Sequence, residues 1–129
     1  MVHSSFIARF ELNEFIGEAI WDGEFVRVTL SGSADPNTRD GLRFLFAEAH
    51  AAAKAWGAGF AVMNLREAEF VNSACISAIL GWANAVASEH EEERYKIAVL
   101  WDPDIGWERR TVAALQKVAQ QVLTLVPKI

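Results

Sequence analysis

Residues 5–12 alternate, with Phe6, Ala8, Phe10 and Leu12 on one side and Ile7, Arg9 and Glu11 on the other. A period of two is the pattern of a strand with one buried face. Residues 18–21 and 25–31 are two more strand segments, separated by Asp22-Gly23. That pair tolerates positive φ and predicts a two-residue hairpin turn, with Val26, Val28 and Leu30 facing the core. A loop over 31–35 closes at Pro36, and the period then becomes helical. Leu42, Leu45, Phe46, Ala49, Ala53 and Trp56 fall on one stripe. Asn37 or Thr38 caps this helix, Asp40 favours its positive dipole end, and Gly57 and Gly59 stop it.

Residues 60–65 are short and almost wholly apolar, which predicts a central strand covered on both faces or nearly so. A second helix is expected over 73–89, with Ile76, Ile79, Leu80, Ala83, Val86 and Ala87 buried. The acidic run 89–93 is a solvated exit. Residues 96–101 form another buried strand, 102–104 a loop, and 107–121 a third helix with Leu115, Val118 and Val122 inward. Residues 123–126 suit a short edge strand ended by Pro127. The order is β-β-β-α-β-α-β-α-β. Strands alternating with helices imply parallel crossovers, so the expected class is α/β, one mixed sheet with helices packed mainly on one face.

Composition narrows the functional classes. A length of 129 residues, 52% hydrophobic, fits one domain over 1–129 with a self-sufficient core. No apolar run approaches the roughly 20 residues that span a bilayer. The first five residues, Met1-Val2-His3-Ser4-Ser5, lack the basic and apolar regions of a secretory signal. Cys75 is the only cysteine, which excludes an internal disulfide and suits a cytoplasmic location. A net charge of −5 argues against nucleic acid as a partner.

The inventory of chemistry is thin. His3, His50 and His90 are scattered, and no metal site or cofactor is expected. Asp102 and Asp104 flank Pro103 as a turn does, and Arg109 and Arg110 read as a solvated helix face. No Gly-rich phosphate loop, nucleophile elbow or Cys-x-x-Cys is present, so no catalytic residue is assigned and no enzyme is expected.

One segment is specific. Residues 63–80, from Met63-Asn64-Leu65 through Phe70-Val71-Asn72-Ser73-Ala74-Cys75-Ile76-Ser77, resemble the STAS signature of bacterial anti-sigma-factor antagonists. In that family a hydrophobic-Asp-Leu strand end is followed by Phe-hydrophobic-Asp-Ser-Ser-Gly-Leu, which opens a helix. Here Asn64-Leu65 stands at the first step and Asn72-Ser73 in place of Asp-Ser. The resemblance implies a non-catalytic regulator that docks on a protein, an anti-sigma factor or a switch-kinase-type ATPase, through residues 72–77. It also implies phosphorylation at the second serine of the motif. That position is Ala74, which has no hydroxyl, and Cys75 replaces the usual glycine. Either Ser73 takes over as phosphoacceptor, or the domain always presents its docking surface; the second is the reading adopted.

The predicted partner-binding set is Asn72, Ser73, Ala74, Cys75, Ser77 and Trp82. Asn72 or Ser73 caps the helix. Cys75 reads as a small buried packing residue rather than a redox sensor. Asn64 is expected to satisfy loop backbone groups. Trp82 falls off the apolar stripe, as does Phe44 on the first helix, and two such rings raise an interface or a homodimer as a possibility. Two other readings stay open: a STAS-like accessory subunit of a transporter ATPase complex, and a small-ligand-binding domain with a pocket by the Trp101–Trp107 loop.

Overall fold

The computed structural model describes residues 5–129; His3 and the rest of the first four residues lie outside it. Strands β1 (Ser5–Leu12), β2 (Phe15–Trp21) and β3 (Val26–Ala34) form an antiparallel meander. β4 (Phe60–Asn64), β6 (Lys96–Trp101) and β7 (Leu123–Pro127) extend it in parallel, giving the order β1-β2-β3-β4-β6-β7. Helices α1 (Arg39–Ala55), α2 (Ser73–Ala87) and α3 (Gly106–Ala119) are the crossovers. The sequence reading of a mixed sheet with the same order of helices and long strands agrees with this architecture.

The sheet is covered on one face. In β4 and β6, Ala61, Met63, Ile97 and Val99 are buried, whereas Phe60, Val62, Ala98 and Leu100 alternate with them and stay half-exposed. The expectation that β4 is covered on both faces is therefore corrected. Its second face is shielded only by neighbouring side chains, such as Phe25 stacked on Phe60 with ring centroids 4.5 Å apart.

Turn chemistry differs from the sequence reading in an instructive way. Trp21 pairs with Val26, so the loop after β2 has four residues, and the Asp22 carboxylate holds it by accepting from the Glu24 and Phe25 amides. The two-residue turn lies instead at Asn13-Glu14, between paired Leu12 and Phe15, with Asn13 at φ 57°. β2 consequently begins three residues earlier than the pattern suggested. The Phe10 ring fits against α1 because Gly17 and Gly41 leave room: a Cβ at Gly41 would stand 2.5 Å from it.

A further strand was not expected. β5 (Ala68–Val71) pairs in parallel with the end of β3, across a register shift at Gly32. Gly32 has φ +87°, and a Cβ there would lie 2.2 Å from the Glu14 carbonyl, so only glycine permits this bend. The helix stripes also shift. Trp56 and Val118 are 47% and 44% exposed rather than buried. On α3 the inward residues are Trp107, Glu108, Thr111, Val112, Leu115 and Ala119.

Candidate functional site

Two corners of the chain meet at the start of α2. β3 runs into Asp35 and a short turn over Pro36–Thr38, and β5 runs into Asn72. β5 is held beside β3 by the Ser33–Phe70 and Ala34–Val71 pairs, and the Asn72 amide donates to the Ala34 carbonyl at 3.0 Å. The corners are then pinned by side chains. Thr38, only 1% exposed, donates its hydroxyl to the Asp35 carbonyl. The Cys75 thiol lies 3.1 Å from that same oxygen and 3.2 Å from the Thr38 hydroxyl.

Each predicted residue now has a place. Asn72 is the cap: its side-chain oxygen accepts from the Ala74 amide at 2.8 Å. Ser73 is exposed as the first residue of α2, and its hydroxyl has no hydrogen-bond partner among the described residues, so it is not the cap. Ala74 is half-exposed. Ser77 is exposed and donates to the Ala74 carbonyl at 2.7 Å. Asn64 accepts from the Arg66 amide at 2.9 Å, the loop-satisfying role expected for it.

Two members of the set are buried, which removes them from the surface. Cys75 is inaccessible, and burial pushes its thiol pKa up. Its place in the Thr38–Asp35 contact makes it a pin between corners. Native Cys75 is therefore expected to react with a maleimide far more slowly than the urea-unfolded chain; equal rates would contradict the pin. Trp82 is 3% exposed. It stacks on Phe46 of α1, centroids 5.2 Å apart and planes 15° from parallel, and donates its indole N–H to the Tyr95 hydroxyl at 3.0 Å. It belongs to the core because the buried stripe of α2 is Cys75, Ala78, Ile79, Trp82, Ala83, Val86 and Ala87; Ile76 and Leu80 are only half-buried.

The residue the sequence reading used only as a motif match is Phe70. It is 49% exposed, while Val71 beside it is 1% exposed. Ala68 and Val71 turn into the core, so Glu69 and Phe70 between them face out. The surface thus offers Phe70, Ser73 and Ser77, with Asp35 and Asn37 from the neighbouring turn. No group of three or more potential metal ligands occurs among the described residues.

No protein-family model matches the sequence, and no curated protein does either. Solved structures do. An anti-sigma factor antagonist from Mycobacterium paratuberculosis superimposes with a TM-score of 0.57 at 17% identity, over 90% of this chain and 88% of that one. Unphosphorylated SpoIIAA, also an anti-sigma factor antagonist, gives 0.51 at 19% identity over 89% of each. The fold is that of the anti-sigma factor antagonists. The same STAS-like fold recurs in the complex of the diguanylate cyclase SiaD with its activator SiaC from Pseudomonas aeruginosa. A chain of that complex gives a TM-score of 0.60 at 12% identity, over 94% of this chain and 99% of that one. No helix among the described residues is long and apolar enough to cross a membrane.

Proposed function

We propose that this chain is a non-catalytic, cytoplasmic regulatory domain that acts by docking on a partner protein through the joined corner at the start of α2. The observation that carries the reading is the exposure of Phe70, Ser73 and Ser77 on a corner whose backbone is fixed by the Asn72 cap and the Thr38–Cys75–Asp35 contacts. A rigid platform with an exposed aromatic is what an interface anchor requires, because little ordering entropy is lost on binding. The names of the structural neighbours support it, since they describe antagonists of anti-sigma factors and an activator in complex with a cyclase.

The docking surface is proposed to be permanently presented. Ala74 stands where the family's modified serine falls and offers no oxygen to phosphorylate. Ser73 keeps a free, exposed hydroxyl one position earlier, so it is the residue where any modification would act. A phosphate there would add a charge of about −1.5 to −2 beside Phe70 and alter docking without refolding the domain.

The test is affinity capture from native lysate by the wild-type chain and by Ser73→Glu and Phe70→Ala, with mass spectrometry of the captured protein and of Ser73. Both variants should fold normally, because both positions are exposed. Each is expected to weaken capture of the same protein by at least about tenfold, the effect of losing an interface anchor. Undiminished capture by both would remove this corner from consideration.

A further inference from the structure

A groove of about 860 Å³ runs between α1 and α2. One wall is Ala47, Ala51 and Ala55, spaced four apart on α1; the other is Ala78, Gly81 and Ala85 on α2. The stacked Phe46–Trp82 rings form its floor. We propose that this groove receives an amphipathic helix of the partner protein, with an apolar ridge lying over Gly81 and an acidic side chain meeting Arg43. The proposal rests on the docking role above and names the chemistry of the partner.

Gly81 is the first argument. It sits in the middle of α2, where glycine costs roughly 0.5–1 kcal/mol relative to alanine. A Cβ there would meet nothing within 4 Å, so no packing within this chain requires its absence. A helix interior that departs from local preference without an internal reason leaves room for another molecule. Small residues on both walls let a third helix pack its ridge close to the two helices. The α1 wall from Arg43 to Ala55 is about 18 Å long, enough for three turns of an incoming helix.

Charge and position supply the rest. The cationic lining is Arg43 and Lys54, with no carboxylate, on a chain of net charge −5. Lys54 is already committed to Glu89 at 3.0 Å and Glu93 at 3.7 Å. Arg43 makes no ion pair among the described residues. It therefore selects an acidic side chain. Ser77 lines the groove and belongs to the docking corner as well, so the two surfaces are continuous.

The experiment selects a phage-displayed library of peptides of about 16 residues, long enough for four helical turns, on the intact chain, and then measures the selected peptides on Gly81→Leu. Leucine fills the groove at a site free of clashes, and a melting temperature at or above that of the wild-type chain confirms that this variant folds. Selected peptides are expected to carry apolar residues at i, i+4 and i+7 with Asp or Glu at one end, and to move the Trp82 indole N–H resonance. Gly81→Leu and Arg43→Glu are each expected to weaken the synthesised peptide by at least about tenfold. Peptides without the stripe, basic residues in place of the acid, or equal affinity for Gly81→Leu would overturn the proposal. So would displacement of the peptide by a second copy of the chain, or decanoate binding in the groove with no peptide selected. If the peptide fails while Ser73→Glu still blocks capture, the groove falls and the corner stands; the reverse pair of results sinks the corner alone.

Discussion

Trp82→Ala is expected to destabilise the chain by about 3–5 kcal/mol, the usual range for removing a buried large aromatic. The indole is 3% exposed, stacks on Phe46 and so joins α2 to α1. Its N–H also feeds a polar chain. The Tyr95 oxygen accepts from it and stands 2.6 Å from Nδ1 of His50, whose Nε2 lies 3.2 Å from Glu89. The indole can only donate, so the Tyr95 oxygen is the acceptor in that bond and meets His50 with the same atom. Burial drives the Tyr95 pKa upward, so that phenol remains a donor throughout the physiological range. Truncation removes the ring and one member of the chain together. A fall in melting temperature of roughly 10–20 °C follows from the usual entropy of unfolding at this size. Trp82→Phe keeps one ring against Phe46 but loses the N–H and part of the indole volume, so a smaller loss of about 1–3 kcal/mol is expected. Urea unfolding followed by circular dichroism measures both, and a Trp82→Ala chain as stable as wild type would contradict the buried assignment.

The second large effect is a pH dependence set by Glu108. This carboxyl, in the first turn of α3, is fully buried. One oxygen accepts from the Asp102 amide at 2.7 Å, and the other has no partner among the described residues. Burial raises its pKa above the ordinary 4.5. The folded chain then holds a proton that the unfolded chain releases, so stability falls as pH rises. The favourable contribution is complete below pH 4.5 and is lost as pH climbs through the raised folded value. Glu108→Gln keeps an acceptor for Asp102 and cannot ionise. Its stability relative to wild type is expected to increase as pH rises above 4.5 and to level off once the wild-type carboxyl has ionised in the folded chain. Parallel denaturation curves at a series of pH values check this; a constant difference between the two proteins would refute it.

The mixed sheet and the helix order were legible because strand and helix periods are strong in residues 5–12, 26–30 and 42–53. The same periodicity misjudged α2. Its sequence is rich in alanine, so several faces score as equally apolar, and the ring of Trp82 looked displaced from a stripe drawn through Ile76 and Leu80. Packing chose otherwise: the Phe46 ring of α1 lies across Trp82, and Ile76 and Leu80 are half-buried. β5 could not be seen in its own four residues, because Ala-Glu-Phe-Val does not alternate. Its strand character comes from the free end of β3, which Gly32 bends to meet it. For the same reason Phe70 passed as a motif residue instead of an exposed ring. The position of Asn72 and Ser73 at a strand-to-helix junction was visible; which of the two caps the helix was not, since both side chains are competent acceptors.

The docking corner is the claim on which the functional account depends. Hydrogen–deuterium exchange of the intact chain, alone and bound to the protein it captures, tests it most directly. Protection is expected at residues 33–37 and 69–77. Protection confined to the open sheet face around Phe60, Val62 and Leu100, with the corner unchanged, would contradict it.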